Sequence, residues 1–164
     1  MNQGFRGWSQ PGALAVPYIC IRDVKADGTG GGSFASGSFV TRTLNNIQND
    51  DTGAVQVINN QIILPPGRYR CHVDVPAYGV ADHQARLRDM TNGVTLLTGI
   101  SGRSTGSNNY DRSTIMGKIK LFLTTAIEVQ HRCETSNLTD GLGRASNFTS
   151  DEEVYTVAEF WKEG

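Results

Sequence analysis

The chain has 164 residues, with 15 Lys and Arg against 16 Asp and Glu and a formal net charge of −1. That length suits one domain, and the near-neutral balance gives no attraction toward nucleic acid or an anionic membrane. Nor is there an apolar run long enough to cross a bilayer. The 19 glycines exceed average usage and charged residues, at 19%, fall below it, which suits a β-rich domain with many tight turns.

Residues 1–16 lack periodicity and read as a tail ahead of a domain spanning 17–164. No secretory signal is visible in it, so the chain is expected to be soluble as made. The tail is either a disordered terminus or a docking peptide. Phe5 and Trp8 would anchor the latter, since two large aromatics exposed in a tail call for a partner.

From Pro17 the signals are short and β. PYICIRDV alternates. KADGTGGGSFASG is glycine-rich but runs into SFVTRTL, read as a strand, rather than into the helix that a phosphate-cradling loop requires. NNIQNDDTG reads as a turn. AVQVI and QIILP form a hairpin around Asn59-Asn60. In RYRCHVDVPAY, Tyr69, Cys71, Val73, Val75 and Ala77 alternate with Arg68, Arg70, His72 and Asp74. HQARLRDM and VTLLTGI flank a turn at Thr91-Asn92-Gly93. Residues 101–112 read as a polar loop, followed by STIMGKIKLFL, AIEVQHRCE, a second loop at 135–143, and a closing strand EVYTVAEFWKE. No segment shows a 3.6-residue apolar repeat. Nine or ten short strands predict an all-β antiparallel sandwich of two sheets with Greek-key connections.

VQHRCET, residues 129–135, looks like an active site until side-chain direction is considered. Alternate residues of a strand face opposite sides, so Val129, His131 and Cys133 share one face, and Gln130, Arg132 and Glu134 the other. His131 and Cys133 therefore face the core or a subunit contact, and at two positions apart they are poorly placed for nucleophilic catalysis. His83 has the apolar parity of its own strand, and a buried network with His131 on a neighbouring strand is expected. His72 lies on a polar face, exposed or at a subunit contact. A histidine from each chain of a threefold assembly could hold a metal ion on the axis, but no metal ligand or cofactor is assigned. Cys20, Cys71 and Cys133 lack metal-binding spacing and read as buried free thiols. Asp50-Asp51 and Asp151-Glu152-Glu153 read as solvated turn carboxylates, with no sign of a glycosidase pair. In the final strand Tyr155, Val157 and Trp161 share one parity, and Val154, Thr156, Ala158 and Phe160 the other. Two apolar faces predict that one, carrying Tyr155, Val157 and Trp161, meets a neighbouring subunit.

Six ordered segments are together similar to a C-terminal domain of bacteriophage tail fibre and related virion proteins: YICIRDVKADGTGGGSFASGSFVTRTLN, QIILPPGRYRCHVDVPAY, HQARLRD, VQHRCET, GRASNF and EVYTVAEFWKE. The resemblance covers nearly all of 17–164. It implies a jelly-roll of the C1q and tumour-necrosis-factor type, a homotrimer, and a place on a virion assembled in the host cytoplasm. Fibre proteins usually carry a long shaft upstream, whereas about 16 residues precede the first strand here. The expectation is therefore a tip, head or decoration protein docked on another virion chain through its tail, non-enzymatic and contacting host-surface glycans. Candidate contacts are Arg103, Asn108, Asn109, Tyr110 and Arg112. The alternatives are an assembly-only capsid decoration or fibre cap, and, less favoured, a polysaccharide-degrading enzyme.

Overall fold

A computed structural model of the protein describes residues 15–106, 109–148 and 150–163. Phe5, Trp8 and Asn108 lie outside the described residues. The described chain forms twelve strands: β1 (Tyr18–Lys25), β2 (Val40–Thr41), β3 (Asn46–Asp50), β4 (Gln56–Ile58), β5 (Gln61–Leu64), β6 (Gly67–Tyr78), β7 (Ala81–Asp89), β8 (Val94–Thr98), β9 (Gly102–Ser104), β10 (Tyr110–Leu121), β11 (Thr125–Cys133) and β12 (Glu153–Lys162). Every pairing among them is antiparallel.

One sheet has the order β10-β6-β12-β1-β3. The other runs β4-β5-β11-β7-β8, with β2 added beside β11 and β9 beside β7. The core lies between the sheets. Ile19, Ile21, Val73, Ile115 and Phe160 descend from the five-stranded sheet to meet Ile62, Leu64, Leu87, Ile127 and Val129 from the other, all of them fully buried. The β4–β5 hairpin turns where expected: Asn59 and Asn60 both have positive φ, 51° and 64°, as a two-residue turn matched to strand twist requires. A smaller cluster of Phe34, Ala77, Val80, Cys133 and Leu142 closes one end.

Four sequence expectations are corrected. NNIQNDDTG is not all turn: Asn46–Asp50 pairs along β1 as an edge strand. SFVTRTL yields only the two-residue β2; Arg42, the next residue, still donates its backbone N–H to Val129 O of β11, and its side chain turns fully into the interior. The 101–112 segment is not one loop. Arg103 lies in β9, while Tyr110 and Arg112 belong to β10. Finally, Tyr155 is covered rather than open to a neighbouring subunit with Val157 and Trp161. Gly143 of the 135–143 loop lies against its ring. Tyr155 is left 5% exposed, with its hydroxyl donating to Thr29 O at 2.8 Å.

Candidate functional site

β7 and β11 pair in register, Val129 with Leu87, His131 with Ala85 and Cys133 with His83. This brings the two suspicious histidines together inside the sandwich. His83 Nδ1 and His131 Nε2 are 3.1 Å apart, the rings stand nearly perpendicular, and Phe34 packs on His131. One facing nitrogen must donate. If His131 Nε2–H donates, His83 carries its proton on Nε2, which stands 3.4 Å from Asp111 Oδ2. The opposite assignment would turn a lone pair toward that carboxylate, so the first is favoured. Both rings stay neutral: burial holds each below its ordinary value, and Arg42 adds to the effect at both. Burial also pushes the Cys133 thiol up to about 11, so little thiolate exists near neutrality. The cluster is a structural network with neither an activated nucleophile nor a poised base.

Arg42 was not foreseen. It is fully buried and donates through Nε to Thr156 Oγ1, through Nη1 to Pro76 O and through Nη2 to Leu142 O, at 2.8, 3.2 and 2.7 Å. It ties β2 to the opposite sheet and to the 135–143 loop. Glu153, expected to be solvated, is also structural. It accepts backbone N–H bonds from Ser146 and Asn147, which hold its carboxyl below the usual range.

The proposed contact residues do not gather. Arg103 sits at the edge of the seven-stranded sheet in β9, its guanidinium 2.6 Å from Asp82 Oδ1. Tyr110 and Arg112 have the exposed parity of β10 and lie on the outer face of the five-stranded sheet, Arg112 3.9 Å from Asp74. Asn109 is exposed and its carbonyl accepts Gly79 N–H.

Two surface features stand out instead. On the outer face of the five-stranded sheet, Trp161, Met116 and the stems of Arg70 and Lys118 line an apolar trough of about 410 Å³. Met116 is 60% exposed. Trp161 packs on Tyr18, with the Arg70 guanidinium 4.8 Å from its ring. Beside them Tyr18 donates to Glu159 Oε1 at 2.6 Å, and His72 Nδ1 lies 2.9 Å from Glu159 Oε2.

The second feature is an open groove of mixed lining, about 940 Å³, across the β7–β11 seam. Its lining includes Phe39, the paired Asp82 and Arg103, Gln84, Arg132 and Glu134, with the buried His83 and Cys133 beneath them. The alternation of HQARL and VQHRCET already placed Gln84, Arg132 and Glu134 on polar faces. That these faces adjoin, and that Phe39 stands beside them, depends on non-local pairing.

No protein-family model matches the chain, and no curated protein matches it in sequence. Solved structures do resemble it in fold. A crystal structure of murine APRIL at pH 8.0 aligns with a TM-score of 0.55 at 11% identity, covering 88% of this chain and 98% of that one. The globular domain of the zebrafish complement 1qA protein aligns with a TM-score of 0.55 at 12% identity, covering 90% and 98%. The chain is thus an all-β, antiparallel jelly-roll of the C1q and tumour-necrosis-factor type.

Proposed function

We propose that this jelly-roll is the head of a virion fibre or surface projection, a homotrimer that contacts a host-cell surface through glycans without catalysing a reaction. The observation that carries the assembly is the trough on the five-stranded sheet. Trp161 and Met116 leave an apolar strip on a face otherwise crossed by hydrogen bonds, as a subunit contact requires. The resemblance of the six ordered segments supports the virion placement, and the trimer it implies agrees with the two-sided β12. Three identical sites on one particle raise avidity by effective concentration, so no single site need be tight. The tail with Phe5 and Trp8 would dock the head on another virion chain.

The test is mass in solution followed by adhesion. Light scattering should give three times the 17.8 kDa chain, and Trp161→Glu should shift it to monomer. Fluorescently labelled trimer should then bind a panel of bacterial cells, and excess unlabelled trimer should compete. A monomeric parent protein would overturn the assembly. A trimer that adheres to no cells would favour a purely architectural role in the virion.

A further inference from the structure

The β7–β11 groove lies away from the trough, on the other sheet, and its construction points to a particular ligand. Phe39, 36% exposed, forms one wall just before β2. The ring is held by a chain of contacts. The Arg86 guanidinium lies 3.6 Å from its centroid, and Arg86 Nε and Nη2 both donate to Gln130 Oε1, at 2.9 and 2.7 Å. Gln130 Nε2 donates in turn to Glu128 Oε2 at 2.7 Å, and Glu128 accepts further bonds from Thr41 and Gln61. Burial alone would raise the Glu128 carboxyl, but those three donors outweigh it and keep it ionised. The aromatic wall is therefore ordered before any ligand arrives, which removes part of the entropy cost of binding.

Polar groups line the groove with it. Arg132 pairs in register with Gln84 and bonds to no described residue through its guanidinium. Glu134, two residues on and about 7 Å along the strand, accepts one long 3.5 Å bond from Asp82 N–H. Beneath them His83 is 4% exposed, and its Nε2 points to Asp111 Oδ2 at 3.4 Å. The charged groups lining the groove are Asp82 and Glu134 against Arg103 and Arg132, so the formal charges cancel. An anion would meet two carboxylates there, and a cation two guanidiniums. A ligand whose groups both donate and accept can use Arg132 and Glu134 together.

We infer that the groove binds a neutral hexose unit of a glycan, with its C–H face against Phe39 and its hydroxyls bonded to Arg132 and Glu134. Its size lies within the range of small-ligand sites, which combine an apolar wall with a few fixed polar groups. The inference rests on the glycan-contact reading; of the candidate contacts it keeps Arg103 in the lining and leaves Tyr110 and Arg112 on the other sheet.

The intact protein, isotopically labelled, would be titrated with glucose, galactose, mannose and N-acetylglucosamine to about 10 mM, tenfold above a ~1 mM dissociation constant, with galacturonate as the charged comparison. At least one neutral sugar should shift the amide signals of Arg132 and Glu134. Phe39→Ala and Arg132→Ala should each weaken binding by about tenfold or more, with thermal unfolding unchanged for Arg132→Ala, while Arg112→Ala binds normally. Absence of shifts with all four neutral sugars overturns the inference. So does preference for galacturonate, or loss of binding in Arg112→Ala but not in Arg132→Ala. Cell adhesion of the trimer separates the two claims. Adhesion that survives Phe39→Ala and Arg132→Ala overturns the groove but leaves the glycan-contact reading standing. Sugar binding in the groove without adhesion supports the groove and refutes the host-contact reading.

Discussion

Replacing Arg42 with methionine should destabilise the protein by about 2–5 kcal/mol. The side chain is fully buried, and its burial cost is visible in its basicity: desolvation brings the guanidinium down from 12.5 to about 10, equivalent to roughly 3 kcal/mol against the charged form. Methionine removes that penalty and keeps much of the apolar stem. It also removes three bonds from a charged donor, to Thr156 Oγ1, Pro76 O and Leu142 O. Each is worth roughly 1.5–3 kcal/mol, and two buried carbonyls are left unpaired. The hydrogen-bond loss therefore exceeds the desolvation gain. For a domain of this size the melting temperature should fall by about 5–15 °C. The assay is thermal and urea unfolding at fixed protein concentration, because assembly makes apparent stability concentration-dependent. Thr156→Val should reproduce part of the loss, and the double variant should lose less than the two single variants together. An unchanged or stabilised Arg42→Met would refute the reasoning, showing that desolvation outweighs the three bonds.

Stability should decline as pH falls below about 6.5. The unfolded His83 and His131 take up protons there, while the folded rings, held below that value by burial, do not. Asp111 and Asp82 favour protonation of His83 and Arg42 opposes it, so the decline should be shallower in His131→Gln. Melting temperature measured from pH 7.5 to 5 checks this, and a flat parent profile would contradict it. Tyr155→Phe should cost about 1 kcal/mol by losing the bond to Thr29 O. It should leave the solution mass unchanged, whereas Trp161→Glu should reduce it. Gly102→Ala should destabilise by roughly 1–3 kcal/mol, since an added methyl would lie 2.6 Å from the His83 ring. A melting temperature equal to that of the parent would mean that β9 can move away freely.

Alternation along each strand is local, and the sequence alone determined what depends on it. It identified the all-β class, the Asn59-Asn60 hairpin, the inward direction of His131 and Cys133, and the polar faces of HQARL and VQHRCET. Tertiary structure decided what each face meets. His83 stands beside His131 because β7 pairs with β11. Arg42 enters the core because carbonyls from Pro76 and Leu142, far away in sequence, converge there. Tyr155 is covered because Thr29 and Gly143, far away in sequence, close over it, and the groove exists only where Phe39 reaches the edge of the β7–β11 seam. A period of two specifies which side of a strand a residue occupies. Partner and register are set by the joint packing of all twelve strands, and no single segment encodes that.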